Sequence, residues 1–534
     1  MIASSEIRPT PIVVLSPSLS SMLRRRWERV GLAVLLIAFV AIKWAYLPLP
    51  FYWDECWVYA PAVRAMHNHG PSLLPGSIGT DLSRGHPLLF HFLASCWSMF
   101  FGTAPVSLHG FALFVATVLL VLIYWVGRQL GSEQVGLAAT ALVLMNETFL
   151  AQSGLLLPEV MLALFALGTI HCYVQGRALA YVVLGTCTLW VKETGAIIVL
   201  AIIIWQLLRP KSPARAKSWY YLAPLPLFTG STFYLYQRFT YGWFFYPEHL
   251  GLMNWDLTQF LYTVKYIYSD LMEDQGRVWG TYLFGLIAPL AWGGIRLVRA
   301  ALVVLAYVAA VKVLFNRWPL PPLWALVAIP ACVALVHVLI QRPYAQVEPK
   351  RGAFLGIGTL VFGGMVVFSA INFFTERYLV CLIPLIALCT LAFVHSALRN
   401  YHPCAFAATA GLTIVLTGMQ LRTSEKVGDN RLSYRDDIQV EQQAIDHCKA
   451  LGLQDEAIYA SFLEGIYMTD PEAGYLKGAP AFKNVSQTLD ERSSYALFTH
   501  ATHSELQAQR EKLDMVRMAR FSSGDAWSEV YRKP

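Results

Sequence analysis

Charged residues are scarce in this sequence. Asp, Glu, Lys and Arg together make up 14% of its 534 residues, whereas 56% of the residues are hydrophobic. Ordinary soluble domains contain about 25% charged residues. The composition therefore excludes an ordinary soluble protein and indicates a chain that crosses a membrane several times.

Motifs for nucleotides, zinc and nucleic acid are also missing. The sequence contains no G-x-x-x-x-G-K-[ST] loop and no soluble G-x-G-x-x-G unit after a strand. Its nine cysteines are scattered without a C-x-x-C pair, so neither a disulfide scaffold nor a zinc ribbon is indicated. The net charge of +7 comes mostly from Lys and Arg in short loops between apolar runs, which are topology signals. We expect no nucleic-acid partner.

The first apolar run predicts a retained membrane helix. The stretch "SMLRRRWERVGLAVLLIAFVAIKWAYLPLP" begins like a signal peptide, but its cleavage site is poor and it is long enough to span. Arg24, Arg25, Arg26 and Arg29 place the N-terminus in the cytoplasm by the positive-inside rule. Residues 1–22 are predicted to be a disordered cytoplasmic tail, and residues 50–106 the first external loop.

Twelve further spans follow from the hydrophobic pattern, which makes about thirteen in total. They are residues 107–127, 134–152, 157–174, 178–191, 194–208, 219–237, 279–295, 300–315, 322–340, 353–373, 378–396 and 403–420. The apolar stretch 86–102 is ambiguous, because it is 17 residues long and carries two histidines. If it does not cross, the basic loop 209–218 falls inside, so we predict that it lies in or re-enters the outer leaflet.

The composition changes sharply after residue 420. The stretch "EQQAIDHCKALG" has helical periodicity, "AIYAS" and "SYALFTH" have strand patterns, and "HSELQAQREKL" predicts a second helix. We predict an all-α polytopic membrane domain over 23–420 and a small α/β domain over 421–534 on the outer face.

Acidic and basic residues recur at the predicted outer ends of the spans. Because a charged side chain inside the membrane costs free energy, such residues are usually paired, exposed to water or functional. Their position on one face of the membrane predicts a reaction centre on that face. The residues are Asp54, Glu55, Glu159, Lys192, Glu193, Glu248, His249, Arg377 and Tyr378.

Structural interpretations of the same residues stay open. Asp54 could cap the following helix, and Glu159 after Pro158 is a normal helix start. His86 and His91 are more often interfacial histidines than ligands. Lys192 and Arg377 could extend only to lipid headgroups.

Five stretches resemble the polyprenyl-phosphate-dependent glycosyltransferases of the GT-C type. They are "WDECWVYAPAVRAMHNHG", "RGHPLLFHFLASCWSMFFG", "LIYWVGRQLG", "LPEVMLALFAL" and "ERYLVCLIP", in this order. The chain is similar in particular to bacterial protein O-mannosyltransferases and to the lipid A aminoarabinose transferase. This resemblance implies an inverting transfer of a hexosyl or pentosyl group from a polyprenyl-phosphate carrier to a lipid, glycan or protein outside a bacterial inner membrane.

The resemblance also implies roles for single residues. The family's first-loop aspartate matches Asp54, with Glu55 beside it, and its second acid matches Glu159. Its residue before Pro-Pro matches His86, its Glu-His pair matches Glu248 and His249, and its Arg-Tyr pair matches Arg377 and Tyr378. Two departures are Leu88 in place of the second proline and Gly85 where the aminoarabinose transferase has an acid. No cofactor is required by these matches, and a divalent metal stays open.

General chemistry assigns similar roles. A carboxylate can remove the proton of an attacking hydroxyl, and Asp54 is our candidate for this base. A cation is needed beside the departing phosphate, for which Arg377 is the first candidate and Lys192 the second. If the acceptor is itself a phosphate, no base is required and Asp54 would orient the sugar.

Two rival functions remain at this level. A secondary transporter or lipid flippase would show inverted repeats and broken helices near the midplane, and no repeat is evident in the sequence. A non-catalytic protein that presents its external domain to a partner is the second rival. The presence of both acidic positions disfavours it.

Overall fold

A computed structural model of the chain describes residues 19–208, 218–272, 349–398, 404–420, 428–500 and 511–534. These residues are mostly helical. The helices up to residue 144 are α1 (Leu19–Trp44), α2 (Ala60–His69), α3 (Thr80–Ser83), α4 (Leu89–Phe101), α5 (Pro105–Leu130) and α6 (Glu133–Leu144). The next are α7 (Glu147–Gln152), α8 (Glu159–Gln175), α9 (Ala178–Val191), α10 (Ala196–Leu208), α11 (Ser218–Leu222), α12 (Leu225–Tyr241), α13 (Pro247–Gly251) and α14 (Leu257–Met272). After residue 348 come α15 (Pro349–Ile371), α16 (Leu382–Leu398), α17 (Ala405–Gln420), α18 (Tyr434–Ala450) and α19 (Phe462–Thr469).

The helices follow the apolar runs of the sequence. In the described part of the chain, Pro105–Leu130 and Pro349–Ile371 are long and apolar enough to cross a membrane, by length and composition. Seven further apolar helices have 10–17 residues. The predicted spans 279–295, 300–315 and 322–340 lie outside the described residues, as do residues 1–18 of the predicted tail, whereas residues 19–22 are the start of α1. The count of thirteen spans and the placement of 86–102 stay predictions.

One predicted span is two helices. The run 134–152 was expected to be continuous, but α6 ends at Leu144 and α7 begins at Glu147. The side-chain oxygen of Asn146 accepts a hydrogen bond from the backbone N–H of Phe149 at 2.9 Å, which is an N-cap interaction. The cap starts a new helix in a new direction, and hydropathy alone does not reveal it.

The stretch between the predicted spans 219–237 and 279–295 contains a long helix. Residues 257–272 form α14, with 16 residues, and α14 packs against α15. Its apolar residues recur on one helical face, and its aromatic content obscured that period in the sequence. The part of this stretch before α14 has short helix α13 and no other helix.

The predicted C-terminal α/β unit is confirmed as a small sheet with helices. Five strands, β1 (Ala457–Tyr459), β2 (Asn484–Ser486), β3 (Tyr495–Thr499), β4 (Val516–Ser523) and β5 (Ala526–Arg532), lie in the order β2-β1-β3-β5-β4. β1 pairs in parallel with β2 and β3, while β5 pairs antiparallel with β3 and β4. Helix α18 packs against β4 and β5. The second predicted helix, 503–513, lies mostly outside the described residues.

This C-terminal unit packs against the stretch that follows α1. The backbone N–H of Phe51 donates to the carbonyl of Ala473 at 3.0 Å, and the hydroxyl of Tyr52 donates to Asp437 at 2.6 Å. Buried residues of the helical domain and of the C-terminal unit belong to one continuous hydrophobic core. The C-terminal unit therefore holds the stretch that carries Asp54.

Candidate functional site

Asp54 lies on a sharply turned backbone. Trp53 before it has φ 51°, in the left-handed region that residues with a side chain rarely adopt. A π-helical turn, Glu55–Tyr59, follows it. The Asp54 side chain makes no capping hydrogen bond; instead it accepts a hydrogen bond from Trp57 Nε1 at 3.0 Å and pairs with Arg377. Helix capping is therefore not the role of this carboxylate.

Glu55 points in the opposite direction. Its carboxylate is fully buried and accepts hydrogen bonds from the backbone N–H groups of Tyr52, at 3.1 Å, and Leu156. His109 Nε2 lies 3.1 Å from the same carboxylate. Glu55 thus ties the loop to the helical domain and does not join the cluster around Asp54.

Glu159 and Lys192 form a buried ion pair. Glu159 is the first residue of α8, and Lys192 follows the last residue of α9, so two helix ends bring them together. Lys192 Nζ donates to Glu159 Oε1 at 2.9 Å, and both side chains are less than 8% exposed. Lys192 Nζ also lies 4.1 Å from the centre of the Tyr378 ring, a cation–π contact.

Arg377 connects this ion pair to Asp54. It lies on the 3-10 turn Glu376–Leu379, after the end of α15. Its Nη2 donates to Asp54, its Nη1 donates to Asp429 Oδ2 at 2.6 Å, and its Nε lies 3.9 Å from Glu159 Oε1. One guanidinium therefore contacts carboxylates from three remote parts of the sequence.

The cluster has more carboxylates than cations. Arg377 and Lys192 carry two positive charges. Asp54, Glu159 and Asp429 carry three negative charges when all of them are ionised, so one negative charge is in excess. Burial raises the pKa of the Asp429 carboxyl above its ordinary value, although Arg377 opposes that effect.

A cavity of about 90 Å³ opens beside the ion pair. Its polar lining residues include Glu159, Lys192 and Tyr378, and its apolar lining residues include Phe368 and Phe373. Such a mixture suits a ligand with one charged and one hydrocarbon part, because polar groups orient a ligand while apolar walls supply burial.

Three of the residues that line the cavity could together hold a metal ion. His86, Glu193 and His249 offer one ligand atom each, all within 4.8 Å of one another, and His86 Nδ1 lies 2.9 Å from Glu193 Oε2. Burial, and then the neighbouring His86, lowers the pKa of His249 to about 4, so His249 is neutral at pH 7. Two imidazoles and one carboxylate are a donor set that fits Zn²⁺ or another divalent ion.

Glu248 is directed away from its neighbour His249. Its carboxylate lies 2.9 Å from Arg84 Nη2 and accepts a hydrogen bond from the Tyr246 hydroxyl at 3.1 Å, in an exposed position. Of the predicted Glu-His pair, only His249 lines the cavity.

Residues 32–237 match the model of the dolichyl-phosphate-mannose-protein mannosyltransferase family. The resemblance to GT-C glycosyltransferases is confirmed. We call residues 32–237 the mannosyltransferase-like region; it contains Asp54, His86, Glu159 and Lys192, whereas Arg377 and Asp429 lie beyond it. No curated protein matches the chain.

Three solved structures are similar to this chain at low sequence identity. The apo structure of ArnT from Cupriavidus metallidurans is 12% identical, with a TM-score of 0.42, over 94% of this chain and 98% of that chain. ArnT from the same organism bound to undecaprenyl phosphate is 14% identical, with a TM-score of 0.40 and the same two coverages. The oligosaccharyltransferase AglB from Archaeoglobus fulgidus, with an inhibitory peptide and a dolichol-phosphate, is 12% identical, with a TM-score of 0.42, over 96% and 75%.

The structure brings most of the predicted site residues together. Asp54, Glu159, Lys192, Arg377 and Tyr378 form one connected group, and it joins the mannosyltransferase-like region to the later helices. His86 and His249 line the same cavity as Glu159, whereas Glu55 and Glu248 lie apart.

Sequence reasoning missed Asp429. It lies in "VGDNRLSYRDD", which was assigned to the C-terminal domain on composition alone. Glu193 was noted only as the neighbour of Lys192, and the structure pairs it with His86. No charge count points to Asp429, because the predicted acids Asp54 and Glu159 already balance Arg377 and Lys192.

Proposed function

We propose that this chain is an inverting glycosyltransferase that moves a sugar from a polyprenyl-phosphate carrier to an acceptor on the outer face of a bacterial inner membrane. The observation that carries the proposal is the contact of Arg377 with Asp54 and, at longer range, Glu159, beside a cavity that both polar and apolar side chains line.

Asp54 acts as the base of this reaction. The oxygen of the acceptor hydroxyl attacks the anomeric carbon from the side opposite the phosphate, and the bond between that carbon and the phosphate oxygen breaks. The hydroxyl proton passes to Asp54, and the bonding electrons leave with the phosphate. A positioned carboxylate contributes about 10² to 10⁴ in rate to such a step.

The two cations receive the leaving phosphate. Arg377 presents a planar fork of donors that can bind two phosphate oxygens at once. Lys192 is a point charge at the cavity wall, fixed by its 2.9 Å contact with Glu159. Charge that develops on the phosphate oxygen is stabilised by cations already in place, because they need no reorganisation during the step.

The ligand set His86, Glu193 and His249 is a second positive element when a divalent ion is bound. Such an ion supplies a further positive charge at the cavity wall. Without it, His86 still holds Glu193 in place through their 2.9 Å contact at the lining of the cavity.

The proposal predicts that Asp54→Asn abolishes transfer and leaves the protein folded. The amide keeps the shape of the side chain and can still accept the hydrogen bond from Trp57, but it cannot take a proton. Purified wild-type and variant proteins in lipid nanodiscs are given radiolabelled polyprenyl-phosphate sugars and a membrane lipid and glycan extract, and transfer is counted. We expect a fall in rate of at least about 10².

Asp81→Asn is the matched control, because Asp81 is an exposed carboxylate of the same predicted loop. It should transfer at the wild-type rate. Undiminished transfer by Asp54→Asn would remove Asp54 from the reaction. Movement of the labelled lipid across the bilayer without any transfer, in wild-type protein, would favour a flippase instead.

The sugar and the acceptor follow from a comparison of cells. Lipids, envelope polysaccharides and proteins from cells with and without this chain are compared by mass spectrometry. One sugar should be missing from one class of acceptor when the chain is absent. No such loss in any of the three classes would contradict a transferase role.

A further inference from the structure

Asp429 places a protein carboxylate on the cation proposed for the phosphate. Its Oδ2 accepts a hydrogen bond from Arg377 Nη1 at 2.6 Å, and its side chain is 11% exposed. A carboxylate and a phosphate ester present their oxygens to a guanidinium in the same planar manner. Asp429 therefore stands where one edge of the phosphate would bind.

The Asp429 side chain has fewer hydrogen-bond partners than the Asp54 side chain. Among the described residues, Arg377 is the one hydrogen-bond partner found for this carboxylate, whereas Asp54 is also held by Trp57. The backbone carbonyl of Asp429 accepts from Gln152 Nε2 at 2.9 Å, so the backbone is fixed while the side chain depends on Arg377.

The turn that carries Asp429 is fixed on its other side by Arg431. The backbone N–H of Arg431 donates to the carbonyl of Gly428 at 3.0 Å, which closes a four-residue turn. Arg431 Nη2 lies 2.9 Å from Glu376 Oε2, in the residue next to Arg377. The turn is therefore held against the 3-10 turn of Arg377 by a contact that does not involve the Asp429 side chain.

Charge decides which carboxylate must leave. The cluster already has one negative charge in excess when its acids are ionised, and a sugar phosphodiester would add another. If one carboxylate leaves Arg377 when the phosphate binds, the number of anions hydrogen-bonded to the guanidinium stays the same. Of the two carboxylates hydrogen-bonded to that guanidinium, Asp429 has fewer other partners.

We propose that Asp429 is a competing counterion, which occupies Arg377 in the resting protein and is displaced from Nη1 when the phosphate of the donor binds. The inference rests on the proposed function, because that function supplies the phosphate. As a consequence, the affinity for the donor depends on the competition between its phosphate and the Asp429 carboxylate for Arg377. The C-terminal unit, which begins at this turn, then differs between the resting and the donor-bound protein.

The test is the variant Asp429→Asn, studied by binding and by kinetics. Farnesyl phosphate, which carries no sugar, is titrated into the purified full chain in detergent, and its Kd is measured by calorimetry. Without the competing charge, the Kd should fall about fivefold to tenfold, which corresponds to the replacement of one charge-assisted hydrogen bond by a neutral one on the competing side. The KM for the sugar donor should fall by a similar factor, with kcat changed less.

Asp429→Glu restores the carboxylate and should return the Kd towards the wild-type value. Asp446→Asn removes a carboxylate from the C-terminal unit, away from Arg377, and should leave the Kd unchanged. An unchanged or higher Kd in Asp429→Asn would overturn the proposal. That result would mean that the Asp429 carboxylate does not compete with the phosphate for Arg377.

A measurement on the wild-type chain covers the case in which Asp429→Asn does not fold. Hydrogen exchange of residues 428–434 should become modestly faster when farnesyl phosphate binds, since the turn loses one contact while those of Gln152 and Arg431 keep it folded. Slower or equal exchange would contradict displacement.

The two proposals can fail separately. Tighter farnesyl phosphate binding by Asp429→Asn, together with no sugar transfer by the wild type, would reject the transferase and keep the counterion. Transfer by the wild type with an unchanged donor KM in Asp429→Asn would reject the counterion alone.

Discussion

Two adjacent acids, Asp54 and Glu55, have opposite surroundings. The sequence predicted both as site residues, and only Asp54 reaches Arg377. The cause is local: Trp53 adopts φ 51°, at a cost of about 1 to 2 kcal/mol, and a π-helical turn follows. Neither feature has a sequence signature, so the direction of the two side chains could not be predicted, although their presence at one end of a helix could.

Glu55→Gln should therefore behave differently from Asp54→Asn. The uncharged amide cannot accept from both Tyr52 and Leu156 and also face His109, so one partner is lost. We expect the free energy of unfolding to fall by about 2 kcal/mol, visible as a lower thermal midpoint in detergent.

The transfer rate per folded molecule should stay within about threefold of wild type in Glu55→Gln, because Glu55 does not touch the cavity. A thermal midpoint equal to that of the wild type, with activity lost, would place Glu55 in the chemistry after all.

At the level of elements, hydropathy predicted where helices lie better than where they break. Helix α9 coincides with the predicted span 178–191, whereas Asn146 divides the span predicted over 134–152. Long-range contacts were beyond prediction, because the pairing of Asp429 with Arg377 joins residues 52 positions apart across a change of domain. The burial of a helix can be inferred from a run of apolar residues, but the ion-pair partner of a charged residue cannot.

Helices α18 and α19 bring three acids into the interior of the C-terminal unit: Asp437 and Glu441 lie on α18, and Glu464 lies on α19. Burial raises the pKa of all three carboxyl groups, and neighbouring carboxylates raise these pKa values further. His500 Nδ1, 3.3 Å from Asp437 Oδ1, opposes this for Asp437. Folded protein therefore holds protons that unfolded protein, with carboxyl pKa values near about 4, has already lost.

The sign of the pH dependence follows from this proton difference. The contribution of these acids to stability is complete below about pH 4 and is lost as the pH rises through their folded-state pKa values. We expect the thermal midpoint of the C-terminal unit in the full chain to be higher at pH 5.5 than at pH 7.5. The midpoint is measured as the temperature at which residues 434–450 lose half of their protection from hydrogen exchange.

Glu441→Gln should flatten this dependence, since an amide has no proton to lose in this range. Glu472→Gln, at an exposed carboxylate of the same unit, is the matched control and should keep the wild-type slope. A midpoint that rises from pH 5.5 to pH 7.5 in the wild type would show that other groups dominate.

For the whole molecule, the predicted orientation has a direct test. The basic loop 209–218 is placed inside by the positive-inside rule, with 86–102 not crossing. A fluorescent-protein fusion after residue 215 should therefore be bright, and an alkaline phosphatase fusion at the same position should be inactive. The reverse pattern would mean that 86–102 crosses and that the helices after it have the opposite direction.

The C-terminal unit is also part of the architecture around Asp54. Tyr434, Tyr467 and Tyr475 are fully buried, and the hydroxyl of Tyr467 accepts a hydrogen bond from the backbone N–H of Trp53 at 3.4 Å. This unit is thus not a detachable module. A hybrid protein with an unrelated domain grafted after residue 427 would lose the contact of Tyr467 with the backbone of Trp53. The orientation of the Asp54 side chain would then no longer be fixed from that side. Substitutions in this unit therefore have to be made at its exposed residues, because exchange of the whole unit would also remove its contacts with the stretch that carries Asp54.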